Sequence, residues 1–486
     1  MEQKKDSKEK NLGLTVKKSE DVHEWYSEVV IKSELTDYTL VSGCLVFRPY
    51  AYAIWEFIVA ETDKRLKKLG IQNVYFPLFI PESLFKREAE HVAGFKAEVA
   101  WVTHAGDTKL SERLAIRPTS ETIMYDSYSK WIRSWRDLPL RYNQWNNVVR
   151  WEFKHPTPLI RTREFLWCEG HTAFATKEEA EKEIYEILDL WEVICKDYLA
   201  LTSVKGRKTE KEKFAGAVAS YSLEFFLPTG KAAQGPDAHF DGQNFSRAFN
   251  IIFLNKDGNK EYVWQNTWAI TTRMLGIMVL IHGDDKGLII PPKVAPIQVV
   301  IVPILYEDTK DKVLKKSEEL KKKLDRDYRV KLDDREEYNP GWKYNEWELK
   351  GVPLRIEIGP KDIEKSQAVI VRRDNGKKET VKLAELSKKI GRELENIHAS
   401  LFQRAGKFLY GNIVDVDNFK DLLKAIKDKK MAHALFCGRE ECEDEIKEKT
   451  EGATARVIPF DQKKTLGKCV NCNKEAQFWT YFAKAY

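Results

Sequence analysis

Residues 150–171 read RWEFKHPTPLIRTREFLWCEGH. Apolar side chains fall at alternating or near-alternating positions: Trp151 and Phe153 precede a loop bearing Pro156 and Pro158, and Leu159, Phe165 and Trp167 follow it. Such alternation predicts two strands joined by a charged hairpin. The hairpin carries Arg150, Arg161 and Arg163. A guanidinium fork matches phosphate oxygens two at a time, where a lysine offers only a point charge, so the hairpin is read as built to hold a polyanion.

Outward from it, 486 residues exceed what one core accommodates, and two to four domains are expected. With 43% apolar and 32% charged residues the composition is that of a soluble globular chain. Lys+Arg 81 against Asp+Glu 75 leaves +6. That excludes a histone-like wrapper of nucleic acid but permits a local basic groove. The first 20 residues carry charges without an apolar segment and are read as a mobile tail with no secretory signal. The longest largely apolar run, Ile297 to Leu305, is nine residues, too short to span a bilayer. Four of the seven cysteines are paired near the C-terminus, and Cys44, Cys168 and Cys195 are scattered. Thiols in a reducing cytoplasm are expected.

Before the hairpin, a helix is expected to end at Gly70, followed by a strand VYFPLFIP whose Pro77 marks an edge or an interface. In RPTSET, Thr119-Ser120-Glu121 has the form of a helix cap with an acidic first turn. After the hairpin, Thr176-x-x-Glu179 has the form of a capping box, and Cys195 on that helix reads as buried packing. The stretch 211–253 reads as strand, turn, strand with Gly230, Gly235 and Gly242 at the bends. Thr271-Thr272-Arg273 falls where a strand becomes a helix too apolar for the surface. Pro291, Pro292 and Pro296 mark a domain boundary. Strands and helices then alternate as one α/β unit, with a final helix over about 383–402. In the last segment, Cys437-x4-Cys442 and Cys469-x2-Cys472 make two close thiol pairs that a longer loop can bring together. Four sulfurs so arranged suit a closed structural zinc site.

RPTSET, the hairpin with its LWCEGHTA continuation, the glutamine-to-histidine stretch QGPDAH and TTR, in this order, resemble the prolyl-tRNA synthetases, class II, in their archaeal and eukaryotic-like form. The resemblance covers about residues 23–486. It implies an α/β and α+β multidomain protein: a class II catalytic domain on an antiparallel sheet (21–290), an α/β anticodon-binding domain (295–398) and a C-terminal zinc-containing domain (399–486). Pro77 would be the proline of motif 1, which forms the homodimer interface, the hairpin motif 2, and the Arg273 region motif 3.

The activity so implied is attack of the proline carboxylate on the α-phosphate of ATP, then transfer of prolyl to tRNA(Pro). Such chemistry needs positioning and charge neutralisation more than a protein nucleophile. By resemblance, Arg150 would hold the α-phosphate and the proline carboxylate, and Arg161 and Arg273 the distal phosphates bridged by Mg²⁺. Glu152 and Thr162 would contact the adenine end, Gln234 and Thr271 the ribose-phosphate side. Thr119 and Glu121 would accept from the proline amine. Trp167, Phe214 and His239 would wall the ring, with Glu169 and His171 fixing the wall. Glu348, Arg355 and Lys377 would help read anticodon guanines, Cys437, Cys442, Cys469 and Cys472 would bind zinc, and the carboxylate of Tyr486 would approach the active site.

Taken alone, Trp167 and Phe214 read as ordinary core packing, and the three anticodon residues equally as solvated charges. Asp237 stands where the family has a hydroxyl residue, which puts an ATP contact there in doubt. Only 101 residues separate Arg163 from Gln265, too few for an editing insertion, so removal of mischarged alanine would fall to another protein. Two rivals are another class II synthetase (for threonine, serine, histidine or glycine) and a non-catalytic tRNA-binding paralogue. Retention of Arg150, Arg161 and Arg273 argues against the second.

Overall fold

The structure, a computed structural model, describes residues 13–89, 99–152, 155–462 and 467–486. Phe153 and residues 1–12 lie outside them. Residues 13–20, expected within a mobile tail, are tied to the body: Thr15 N donates to Glu28 at 2.7 Å, Lys18 Nζ to the Gly283 carbonyl at 2.6 Å, and Ser19 N to Asp285 at 3.0 Å.

The hairpin exists, but its first strand lies earlier than the alternation placed it. Leu140–Val149 pairs antiparallel with Glu164–Phe174, from Leu140 opposite Ala173 to Val149 opposite Glu164. Trp151 is past the strand end and 40% exposed, with the Arg163 guanidinium 4.4 Å from its ring centroid. Charge stacked on an aromatic face, not pleating, explains that tryptophan. Of the expected VYFPLFIP strand (74–81) only Phe79–Pro81 forms; a separate short strand, Gln72–Asn73, precedes it, and Pro77 lies between the two. There the backbone is served by side chains instead of a ladder: Gln144 Oε1 accepts from Phe76 N, and Arg117 donates to the Phe76 carbonyl at 2.8 Å.

Next to Glu164–Phe174 in the sheet lies Trp264–Thr271, then Lys231–Gly242, all antiparallel, with Ala219–Phe226 and Val204–Arg207 beyond. Period-2 alternation divides each strand between two faces. Cys168, Ala238, Phe240, Trp268 and Ile270 enter the main apolar core with the helices Pro49–Lys68, Lys177–Val193 and Arg273–His282. Trp167, Glu169, His171, Asp237, His239, Thr267 and Thr271 face a cavity on the other side. The capping box Thr176–Glu179 is formed, and Cys195 is buried as read. Gly235 is not at a turn: it sits where the strand register slips, and a side chain there would strike Phe225.

Residues 299–382 form a five-stranded sheet, parallel among Val299–Pro303, Val330–Leu332 and Leu354–Ile358 and antiparallel through Gln367–Arg372 and Lys378–Lys382. The closing helix runs Leu386–Gly411, well past position 402, because Leu394, Ile397, Leu401, Ala405 and Leu409 keep its apolar stripe. The C-terminal strands do not stand apart. Phe478–Ala485 pairs with the end of the catalytic sheet, Lys231 opposite Lys484, making one sheet of 12 strands among the described residues.

Gly170 lies under the indole of buried Trp268, and a Cβ there would be driven into that ring. Gly170→Ala is expected to cost about 1–3 kcal/mol, seen as a lowered midpoint of chemical denaturation.

Candidate active site

One cavity of about 330 Å³ gathers the residues singled out above. Its lining includes Thr119, Glu121, Arg150, Glu152, Thr162, Trp167, Glu169, His171, Phe214, Gln234, His239, Thr271 and Arg273. Arg161 is not in the lining. It is exposed at the turn closed by the Thr157–Arg161 bridge, yet its charge acts on Arg273. Arg163 points away, donating to the Ser42 carbonyl at 2.9 Å. Of the three hairpin arginines, therefore, only Arg150 faces the cavity.

Arg150 is held by its Nε donating to the Pro118 carbonyl at 2.9 Å, with its guanidinium 5.2 Å from the Trp167 ring centroid. Arg273 opens its helix at the end of strand Trp264–Thr271. Its Nε donates to the Ile160 carbonyl at 2.9 Å and Nη1 to the Gln234 carbonyl at 3.1 Å. Burial and then the charge of Arg150 depress its pKa, more than the charges of Asp237 and Glu224 raise it.

The opposite end is organised by Glu169, 2% exposed. Its carboxylate accepts from Ser120 N at 3.0 Å, the Ser120 hydroxyl, Gln144 at 3.2 Å and Asn146 at 2.6 Å, and pairs with His171 Nε2 at 3.1 Å. Ser120 thus spends its hydroxyl on Glu169 and makes no side-chain cap for helix Glu121–Trp131, so the expected cap is replaced by a strand-to-helix tie. Asn146 accepts from Trp167 Nε1 at 2.6 Å, which fixes the indole against the cavity. Burial would raise Glu169, but His171 and the other donors outweigh it and hold it below the usual carboxylate range. Burial would lower His171, but the bond to Glu169 and the charge of Glu121 raise it. Buried Glu121 accepts from the Thr119 hydroxyl.

Phe214 and His239 stack at 4.9 Å, and Ser220 fixes both, its oxygen accepting from Phe214 N and lying 2.8 Å from His239 Nδ1. Asp237 lines the cavity and accepts from Gln234 Nε2 at 2.7 Å. The sequence reading missed Ser120, Gln144, Asn146, Lys208 and Ser220. Gln144 and Asn146 were legible as one face of a strand once its true limits are known.

Away from the cavity, Arg355 is no solvated charge. It is 7% exposed, bonded to Glu357 at 2.9 Å and Glu348 at 3.1 Å, and lies 4.0 Å from the Tyr344 ring centroid. Lys377 is exposed near Glu379. Cys437, Cys442, Cys469 and Cys472 converge with all four sulfurs within 4.8 Å of one another. Tyr486 docks its backbone N on the Ala232 carbonyl at 3.1 Å, two residues before Gln234.

Comparison with known proteins agrees along the whole chain. The class II core domain of tRNA synthetases (G, H, P, S and T) matches residues 97–282, the anticodon binding domain 298–393, and the prolyl-tRNA synthetase C-terminal domain 419–486. Proline–tRNA ligase 2 of a Bacillus cereus strain is 49% identical over 99% of this chain and 100% of its own length. The chain belongs to the prolyl-tRNA synthetases. Proline–tRNA ligase of Natranaerobius thermophilus is 48% identical over 96% of this chain and 97% of its own. The crystal structure of prolyl-tRNA synthetase from Cryptosporidium parvum, complexed with halofuginone and AMPPNP, superposes with TM-score 0.93 at 46% identity, covering 98% of this chain and all of that one. As a prolyl-tRNA synthetase the chain is a class II aminoacyl-tRNA synthetase, a proline–tRNA ligase. Among the described residues no helix is long and apolar enough to cross a membrane.

Glu169→Gln breaks one half of a buried pair, and a cost of about 3–5 kcal/mol is expected. His171, raised above 6.5, contributes stability below that value and loses it as pH rises through its folded pKa; depressed Glu169 loses its share only in acid. Thermal denaturation should therefore show the wild-type advantage over Glu169→Gln narrowing as pH climbs above 6.5.

Proposed function

We propose that the cavity binds ATP and L-proline side by side, forms prolyl-adenylate with release of pyrophosphate, and then transfers prolyl to tRNA(Pro). The observation that carries this is one cavity with two guanidiniums at one end and, at the other, an aromatic cage beside a buried carboxylate. Arg150 takes the α-phosphate and the proline carboxylate, and Arg273 the distal phosphates with Arg161 closing from the turn. Glu152 and Thr162 serve the adenine, Gln234 and Thr271 the ribose-phosphate side. Thr119 and Glu121 meet the proline amine between Trp167, Phe214 and His239, whose placement Glu169 and His171 hold. Every charge in that arrangement is set before the reaction, which is where electrostatic catalysis gains most. Mg²⁺ suits the phosphates, since it keeps waters and takes few protein carboxylates.

Binding of the anticodon by Arg355 requires it to exchange a carboxylate for a guanine edge, a pairing its fork geometry permits; Glu348 is bonded to it, and exposed Lys377 is assigned to the same task. The catalytic (21–290), anticodon-binding (295–398) and C-terminal (399–486) divisions share the helix Leu386–Gly411 across the last boundary. We assign the protein to the cytoplasm, as a homodimer, with clearance of mischarged alanine left to another protein.

The four-cysteine cluster fits zinc. With Zn–S near 2.3 Å, the sulfurs of a tetrahedral site lie roughly 3.8 Å apart, and the Cys442–Cys469 and Cys437–Cys472 sulfurs are 3.7 Å apart. Zinc there would tie the loop 467–472 to the helix Glu440–Lys449 and has no part in the reaction. Elemental analysis is expected to give one zinc per chain, and Cys442→Ser to lose it.

Purified protein should exchange labelled pyrophosphate into ATP only with proline present; exchange with threonine, or none, would overturn the reading. Arg150→Ala should lower exchange by about 10²–10³-fold, while Arg355→Ala should spare exchange and weaken tRNA charging.

A further inference from the structure

Behind the phosphate end of the cavity lies an ion group shared between two domains. Glu224, fully buried on strand Ala219–Phe226, receives Lys208 Nζ at 2.5 Å on one oxygen and Arg456 on the other, through Nε at 2.9 Å and Nη2 at 2.8 Å. Lys208 lines the cavity and is 4% exposed, and Arg456 is 5% exposed. Arg456 belongs to the C-terminal segment, 232 residues from its partner in the chain.

We propose that Arg456 is a positioning residue for the ATP side of the active site, acting through Glu224. The proposal rests on the assignment of Gln234 and Arg273 to ATP. Glu224 stands opposite Gln234 in the antiparallel ladder, at the point where the register slips. The Gln234 carbonyl in turn accepts from Arg273 Nη1. Glu224 is thus one backbone step from the residue that orients Arg273, and its other oxygen sets Lys208 in the cavity wall.

The segment carrying Lys208 is held from outside as well. Ile458 and Pro459 pair with Arg207 and Gly206, and the Thr209 hydroxyl donates to Glu443 at 2.9 Å. A side chain at Gly206 would meet the Ile458 carbonyl, so the two domains approach at backbone distance. These contacts do not involve Arg456 and remain when it is replaced. Removing the guanidinium would leave one oxygen of a buried carboxylate uncompensated. Glu224 would then turn toward Lys208 and Ser222, its other donors, drawing the Gln234 position with it. The proline cage is fastened at other points, Glu169 to strand Leu140–Val149 and Phe214 with His239 to Ser220, which shares a strand with Glu224 but stands four residues before it.

The test is Arg456→Met and Arg456→Lys in the full chain. Pyrophosphate exchange is measured against ATP and against proline, per active site counted from the burst of adenylate. Arg456→Met should raise the KM for ATP about tenfold with the KM for proline within about twofold, and Arg456→Lys should restore most of the loss. Arg273→Lys in the same assay should also raise the KM for ATP, and combining it with Arg456→Met should give less than the product of the two effects. A lowered melting temperature or active fraction with both KM values unchanged would make Arg456 inter-domain glue and overturn the proposal, as would an equal rise in both. Should the methionine variant not fold, Arg456→Gln, which keeps a donor toward Glu224 without the charge, is judged by the same criteria. Unchanged ATP dependence in Arg273→Lys would instead overturn the underlying ATP assignment, and the proposal with it.

Discussion

Glu169 puts a negative charge where almost no solvent reaches it, and the catalytic core is arranged around answering that charge. Burying an ionised carboxylate is tolerable only when its oxygens are filled with donors. Here the donors come from four places: the loop before helix Glu121–Trp131, the middle of strand Leu140–Val149, Asn146 farther along that strand, and His171 on Glu169's own strand. Each group that satisfies Glu169 is thereby fixed, and each then fixes something that faces the cavity. Ser120 sets the start of the helix that presents Glu121; Asn146 sets Trp167. A buried carboxylate thus decides where the walls of an apolar cage stand.

The same strands show why a sheet suits this task. With one face committed to the helices Lys177–Val193 and Arg273–His282, alternation leaves every second residue of three adjacent strands pointing into one shared space. A slip of one residue would send Glu169 and His171 into the apolar core and bring Cys168 to the cavity, so the cost of burying two charged groups holds the register.

What was legible in the sequence follows from range. Glu121, Glu169, His171 and Arg273 are recognisable because their chemistry is carried in short runs, and the capping box at Thr176 because it is local. The strand limits of the hairpin were misread because Trp151 mimics alternation while its ring serves Arg163. Ser120 looked like a cap because cap and carboxylate compete for one hydroxyl, and only tertiary packing decides between them. Arg355 passed for a surface charge because Glu348, Glu357 and Tyr344 come together only in the folded sheet. Lys208, Glu224 and Arg456 carried no signal at all, since their meeting depends on a strand pairing made at the far end of the chain.

That pairing also changes what the C-terminal domain is. Had the four-cysteine segment been an independent module on a linker, its folding would bear on the cavity only through tethering. Instead Phe478–Ala485 continues the catalytic sheet, Ile458–Pro459 caps its outer strand, and Tyr486 ends beside Ala232. An edge strand that would otherwise present unpaired backbone groups is covered in this way. The cover pairs at Ala232 and Arg207, two residues before Gln234 and one before Lys208, both of which line the cavity. A small apolar cluster (Val204, Phe226, Ala232, Leu409, Met431, Val457 and Ala483) fills the seam and joins the long helix to the catalytic and C-terminal parts of this shared sheet. Order at the cysteine cluster is therefore continuous, through hydrogen-bonded strands and packed side chains, with order at the phosphate end of the active site.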